Sequence, residues 1–372
     1  MEPERCSRRI LLAVTGLSPQ VVTETVFALA RANAAAVPTE IHVITTAEGA
    51  ERARLSLLTQ DPGWFHRLCQ DWNLPGIRFG TEQIHVLCDA TGAPLADIRA
   101  PEDNERAADF ITEKVREFTS DPGSTLHVSI AGGRKTMGYY AGYALSLFGR
   151  PQDRLSHVLV SEPFESSWDF FYPTPYSRVI TTRDNKLADT ADAKVTLAEI
   201  PFVSLREDLP TRLAKGNASF SETVNAARRA LEPPRLVIDL AGRCVLASGE
   251  HVPMGPADLA FYTVFARNRV AGEQAIRRND PDLAAPYLAE YRQIVGEMSG
   301  DLERAEEALK RGMDDNYFDQ RKARTNAALE ECLGTQLARV YQIHSDGQRQ
   351  GRFGLRLEPE AIHFAAATGQ GG

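Results

Sequence analysis

Cysteine is scarce and scattered: five residues, Cys6, Cys69, Cys88, Cys244 and Cys332, with no C-x-x-C pair. That spacing supplies neither a disulfide framework nor a zinc-ligand set, so no metal is expected and a reducing cytoplasm is. No apolar run approaches the roughly 20 residues of a transmembrane helix, and no membrane partner is expected. The charged stretch Met1 to Arg9 leads directly into an apolar segment, without the h-region of a signal peptide. Basic charge is not in excess either, the formal net charge being −8. Proteins that coat nucleic acid are usually basic, so a small anion in a local cationic pocket is the better expectation. Two nucleotide signatures are missing. Thr15-Gly16-Leu17-Ser18-Pro19-Gln20 stands where a dinucleotide enzyme would carry G-x-G-x-x-G, and Gly132-Gly133-Arg134-Lys135-Thr136 lacks the leading glycine of a P-loop. No cofactor is expected.

The 372 residues are enough for two or three domains. In the N-terminal half, short apolar segments alternate with helical patterns. Strands are predicted at Ile10 to Val14, Ile41 to Ile44, Ile84 to Leu87, before Gly132, and at His157 to Val160. Helices are predicted over Val21 to Asn33, Glu48 to Leu58, Pro62 to Trp72, Glu102 to Thr119 and Thr136 to Phe148. Short apolar strands separated by helices give an α/β fold, a parallel sheet covered on both faces. Ligands of such sheets bind beyond the carboxyl ends of the strands, where the strand order reverses. Three polar loops should meet there: Thr15 to Gln20, Thr45-Thr46, and Ala131 to Thr136.

The last of these loops is the most informative. Gly132 and Gly133 permit close backbone approach, the following helix points its first N–H groups at the same place, and Arg134 and Lys135 add two cations. Together they describe a phosphate site; a plain strand-to-helix loop with solvated charges is the bland alternative. Ser18 before Pro19 reads equally as a helix cap, and Thr45 and Thr46 as ordinary strand-end residues. Glu162 is expected to pair with Arg134 or Lys135. The aromatic group Trp168, Phe170, Phe171 and Tyr172 suits a core or a dimer interface better than a stacking platform.

The loops T-G-L-S-P-Q (Thr15 to Gln20) and A-G-G-R-K-T-M (Ala131 to Met137) resemble those of the CRISPR-associated Rossmann fold (CARF) family. Ser161-Glu162-Pro163-Phe164-Glu165, Trp168 to Pro173, and Ala96-Asp97-Ile98-Arg99 with Asp103-Asn104 are similar to one branch of it. The resemblance spans about residues 8 to 176. It implies a Rossmann-like domain, a homodimer, and a cyclic oligoadenylate, cyclic tetra-adenylate above all, held across the two-fold axis. Some members of the family only sense that ring; others, the ring nucleases, cleave it. Cleavage needs no metal: a ribose 2′-OH attacks the adjacent phosphate in line and leaves a 2′,3′-cyclic phosphate. On this reading Lys135, Arg134 and Ser18 are the catalytic residues. Lys135 stabilises the developing charge, Arg134 clamps a phosphate oxygen and Ser18 orients the 2′-OH. Thr15, Gly16, Leu17, Gln20, Thr45, Thr46, Gly132, Gly133, Thr136 and Met137 are the ligand-binding residues.

From Tyr176 the pattern changes. Short strands at Val179 to Thr182 and Val195 to Ile200, a loop from Asp184 to Lys194 and a helix from Leu209 to Leu231 form a connection, ended by Pro233-Pro234. Residues 1–176 are thus the expected ligand-binding domain, 177–234 the connection and 235–372 a second domain. The second domain reads as a hairpin from Leu236, a helix after Met254, a charged helical insertion over 271–319, a helix from Arg321 to Tyr341 and a wing from Ser345 to Leu357. That order resembles a winged helix-turn-helix. Arg321, Lys322, Arg324, Arg339, Arg349, Arg352 and Arg356 form a phosphate-facing set for DNA, which the acidic Asp301 to Asp319 would oppose. Arg339 and His344 match a loose ribonuclease signature, but a helix-end histidine beside an unrelated arginine explains them better. A ring nuclease, a ligand-gated transcription regulator and an activated RNase are the three functions to separate.

Overall fold

The computed structural model describes residues 6–365 apart from 75, 166, 207–208, 210–212, 214–215, 217, 230–231 and 346–350. The chain divides into two units: Met1–Arg206 with Asn217–Ser221, and Glu207–Gly216 with Glu222–Gly372.

In the first unit, β1 (Arg8–Val14), β2 (Glu40–Thr45), β3 (Ile84–Val86), β4 (Ser124–Ser129) and β5 (Arg154–Val160) are all parallel. Between them lie α1 (Gln20–Ala32), α2 (Ala47–Ala53), α3 (Trp64–Asp71), α4 (Pro101–Phe118) and α5 (Lys135–Phe148). Ile10 to Val14 and Ile41, Val43 and Ile44 are almost fully buried, as central parallel strands covered on both faces must be. The segment after β5 adds a hairpin, β6 (Val179–Thr181) with β7 (Leu187–Asp189), and then β8 (Val195–Glu199). The stretch read as a plain loop, Asp184 to Lys194, therefore contains a strand. β8 pairs antiparallel with β5 and gives the six-stranded order β3-β2-β1-β4-β5-β8. The order turns back between β1 and β4, so the loops after those two strands flank the switch point. Phe170, Phe171 and Tyr172 are buried in this unit's core beside Trp64, while Trp168 is 66% exposed.

Helix α6 (Phe220–Arg229) occupies part of the expected Leu209 to Leu231 helix. In the second unit, β9 (Leu236–Asp239), β10 (Cys244–Ala247) and β11 (Glu250–Pro253) form an antiparallel meander. It packs with α7 (Pro256–Val270). Then come β12 (Ile276–Arg277), α8 (Ala284–Val295), α9 (Gly300–Ala308), α10 (Asp315–Leu333) and α11 (Thr335–Tyr341). The single helix expected over Arg321 to Tyr341 is broken at Gly334, whose φ is 78°, an angle glycine adopts without strain. β13 (His344–Ser345) and β14 (Arg352–Gly354) pair antiparallel, and β12 joins them in the order β12-β14-β13. β15 (Ile362–Phe364) runs parallel to β9. Phe261, Phe265, Tyr287 and Phe318 fill the core of this unit. No helix among the described residues is long and apolar enough to cross a membrane.

Candidate functional site

Three loops meet at the switch point, as the sequence requires. A crevice of about 290 Å³ is lined by Thr15, Gly16 and Leu17 after β1, Thr46 after β2, and Gly133, Arg134 and Met137 after β4. Two carboxylates, Glu48 and Asp97, also line it. Close packing explains Gly132, and the loops approach closely at Gly16 as well. A Cβ on Gly16 would stand 3.4 Å from the Gly133 Cα, and one on Gly132 3.0 Å from the Val14 carbonyl oxygen. Gly133 also has a φ of 80°, which a larger residue adopts only with strain. Gly49, in α2, is equally constrained: its Cβ would fall 2.1 Å from Thr45 Oγ1 and 2.6 Å from the Gly16 carbonyl oxygen.

Helix α5 starts at the rim of this crevice. Its N-cap, Arg134, makes no side-chain bond to the first turn, so the leading amides keep their partial positive charge for a ligand. Lys135 and Thr136 are exposed, and Lys135 has no hydrogen-bond or ion-pair partner among the described residues. Met137 is fully buried and forms part of the wall. Arg134 is engaged: its Nε donates to Asp97 Oδ1 at 3.0 Å and its Nη2 to Oδ2. This pairing with Arg134 holds the Asp97 carboxyl below its usual range and raises the guanidinium. The partner of Arg134 is thus Asp97, where sequence reasoning expected Glu162. The A-D-I-R segment carries the family resemblance, but nothing in one sequence places Asp97 opposite Arg134.

The remaining expected residues fall into two groups. Thr15 and Thr45 are fully buried, and their hydroxyls have no hydrogen-bond partner. Thr46 Oγ1 accepts from Gly49 N at 3.4 Å and caps α2, which is the strand-end role that the sequence allowed. Leu17 and Ser18 are exposed. The cap reading of Ser18 does not hold, because α1 has Pro19 at its N-cap position and no side-chain cap bond.

Ser18 and Gln20 open onto a second cavity, of about 540 Å³, between α1, β5 and the segment that follows β5. Glu24 lines it, and sequence reasoning passed it over. It is a carboxyl in the apolar run Val21 to Val26 with a relative exposure of 9%. Burial, assisted by the negative charge of Glu165, pushes its pKa up to about 8. A lone acid inside V-V-T-E-T-V was the available signal.

In the second unit, Arg321 is committed to Asp258 at 2.7 Å and Lys322 to Asp319 at 3.4 Å. Both are drawn from the expected DNA-facing set, which they leave weaker. Arg349 lies outside the described residues. His344 Nε2 bonds the Arg339 carbonyl oxygen. From β13, the imidazole thus bonds back to the last turn of the preceding helix, which fits the helix-end reading rather than a ribonuclease pair.

The family model for CRISPR-associated protein NE0113 matches residues 18–233. No curated protein matches the chain. Among solved structures, Enterococcus italicus Csm6 bound to cyclic hexa-2′-fluoro-hexa-dAMP aligns at 13% identity with a TM-score of 0.27. The alignment covers 87% of this chain and 58% of the Csm6 chain, so this chain spans less than two thirds of that relative.

Proposed function

The chain belongs to the CRISPR-associated NE0113 family, and from that premise we propose that its first unit binds a cyclic oligoadenylate and cleaves it as a metal-independent ring nuclease. Cyclic tetra-adenylate is the first candidate ligand. The observation that carries the reading is the start of α5: amides with no side-chain cap and an unpartnered Lys135, following Gly133 with its φ of 80°. A homodimer would set two such helix starts around one ring of phosphates. In cleavage, Lys135 offsets the charge that builds on the phosphate as the 2′-OH attacks in line. Ser18, exposed and uncommitted to a cap, orients that hydroxyl. Arg134, released from Asp97 or shared with it, clamps a non-reacting oxygen.

Incubating the protein with cyclic tetra-adenylate in EDTA and following the products by HPLC tests the reading. Linear product ending in a 2′,3′-cyclic phosphate is expected, with Lys135→Ala inactive. Full-rate cleavage by that variant would remove Lys135 from the mechanism. An intact ring that co-elutes with the protein would make the first unit a sensor.

A second reading, a ligand-gated regulator that docks DNA through a winged helix, is favoured by the antiparallel pair β13–β14 that follows a run of helices and is joined by β12 from before them. Its test is a mobility shift of duplex DNA that weakens steeply with salt.

A further inference from the structure

Apart from Ser18, which lines it, the Glu24 cavity is assigned no role by the phosphate chemistry above. Four observations bear on what it takes. It is large enough, at about 540 Å³, for a ring system. The exposed indole of Trp168 stands in its wall, with the Arg52 guanidinium 5.2 Å from the ring centroid, as a flat platform. Gln20 donates from Nε2 to the Trp168 carbonyl oxygen at 3.3 Å, while its Oε1 is buried without a partner. The Glu24 carboxyl likewise has no hydrogen-bond or ion-pair partner among the described residues.

We propose that this cavity seats one adenine base of the ring, with the Glu24 carboxyl donating to adenine N1 and accepting from the N6 amine. The inference rests on the ligand class proposed above. A neutral carboxylic acid carries one donor and one acceptor side by side, which matches the acceptor N1 and donor N6 of the adenine edge. An ionised carboxylate carries acceptors alone and suits the adjacent N–H donors of guanine instead. The surroundings keep Glu24 neutral: burial acts first, Glu165 adds a like charge, and no cation is paired with it. The other charged or titratable groups in the cavity wall are His157 on β5 and Arg183 between β6 and β7. Trp168 supplies the stacking face that single bases commonly find on aromatic side chains, and the orphaned Gln20 Oε1 is a second acceptor for the amine. The protonation state of one buried acid thereby selects the base.

The experiment is an equilibrium titration of the full chain with cyclic tetra-deoxyadenylate, which has no attacking hydroxyl, from pH 6.5 to 9. Wild-type affinity is expected to be about tenfold weaker at pH 9 than at pH 7 as Glu24 ionises. Glu24→Gln keeps a donor and an acceptor but cannot ionise, so it should bind with a flat profile. The guanine ring, cyclic tetra-deoxyguanylate, should gain on the adenine ring at high pH in wild type only. Parallel profiles for wild type and Glu24→Gln would overturn the role of Glu24 while leaving the ligand class intact. Absence of wild-type binding at every pH, to this probe and to cyclic tetra-adenylate alike, would overturn both.

Discussion

Arg134 and Lys135 are neighbours in sequence with different circumstances. One is held by Asp97 and the other has no partner, so they should respond differently to mutation. Arg134→Ala leaves Asp97 with only the more distant Arg99, 3.6 Å away, to offset its charge against the proposed polyanion. It is expected to weaken cyclic tetra-adenylate binding by about tenfold or more, and the double variant Asp97→Ala/Arg134→Ala should recover part of that loss. Additive losses in calorimetric titrations of the three variants would show that the pair is not coupled to the ligand. Glu24 carries a separate prediction. Its folded pKa of about 8 lies above the ordinary 4.5, so between those values the unfolded chain releases a proton that the folded chain keeps. Stability therefore falls as pH rises through that window, by up to roughly 1.4 kcal/mol per unit, and levels off above it. Urea unfolding at pH 5, 6.5 and 8 should show a flatter profile for Glu24→Gln than for wild type. The cationic pair was legible in the sequence because its residues are adjacent. The Arg134–Asp97 contact, bridging 37 positions, was not, since nothing local encodes it.

At the scale of elements, the alternation of β1 to β5 with their helices could be read directly, because buried parallel strands are continuous apolar runs. The π-helical turn at Arg54–Leu58, which extends α2, could not, since its local pattern is that of any helix. Gly49 shows the same limit. A glycine in A-E-G-A-E-R-A weakens a helix, which hints at a packing reason, but the crowding by Thr45 and Gly16 is visible only in three dimensions. Gly49→Ala is accordingly expected to lower stability by about 1–3 kcal/mol as α2 is pushed from the first loop, measured as a shift of the urea midpoint. An unchanged midpoint would mean that the loop yields to the added methyl.

At the scale of the whole molecule, the sequence reading set residues 177–234 apart as a connection, whereas the chain through Arg206 belongs to the first unit, because β8 completes its sheet. The pairing of β8 with β5 was not legible: Val195 to Ile200 reads as a strand, but a strand does not name its neighbour. The proposed homodimer belongs to this scale too. Tyr139 is 62% exposed on α5, in ring contact with Tyr140 and Tyr143, close to the helix start that the proposed dimer would present twice. Light scattering should give twice the 41.0 kDa of one chain with and without ligand, and Tyr139→Asp should shift the distribution toward the single chain. A wild-type mass of one chain at micromolar concentration would remove the two-fold arrangement.

The close approach of Gly16 to Gly133 also has a consequence in time. Two loops set so close that a Cβ on Gly16 would already meet Gly133 have little slack to take up when a ligand arrives, so no slow rearrangement should separate encounter from capture. In stopped flow, the observed association rate should climb in proportion to ring concentration, without the plateau that marks a gate.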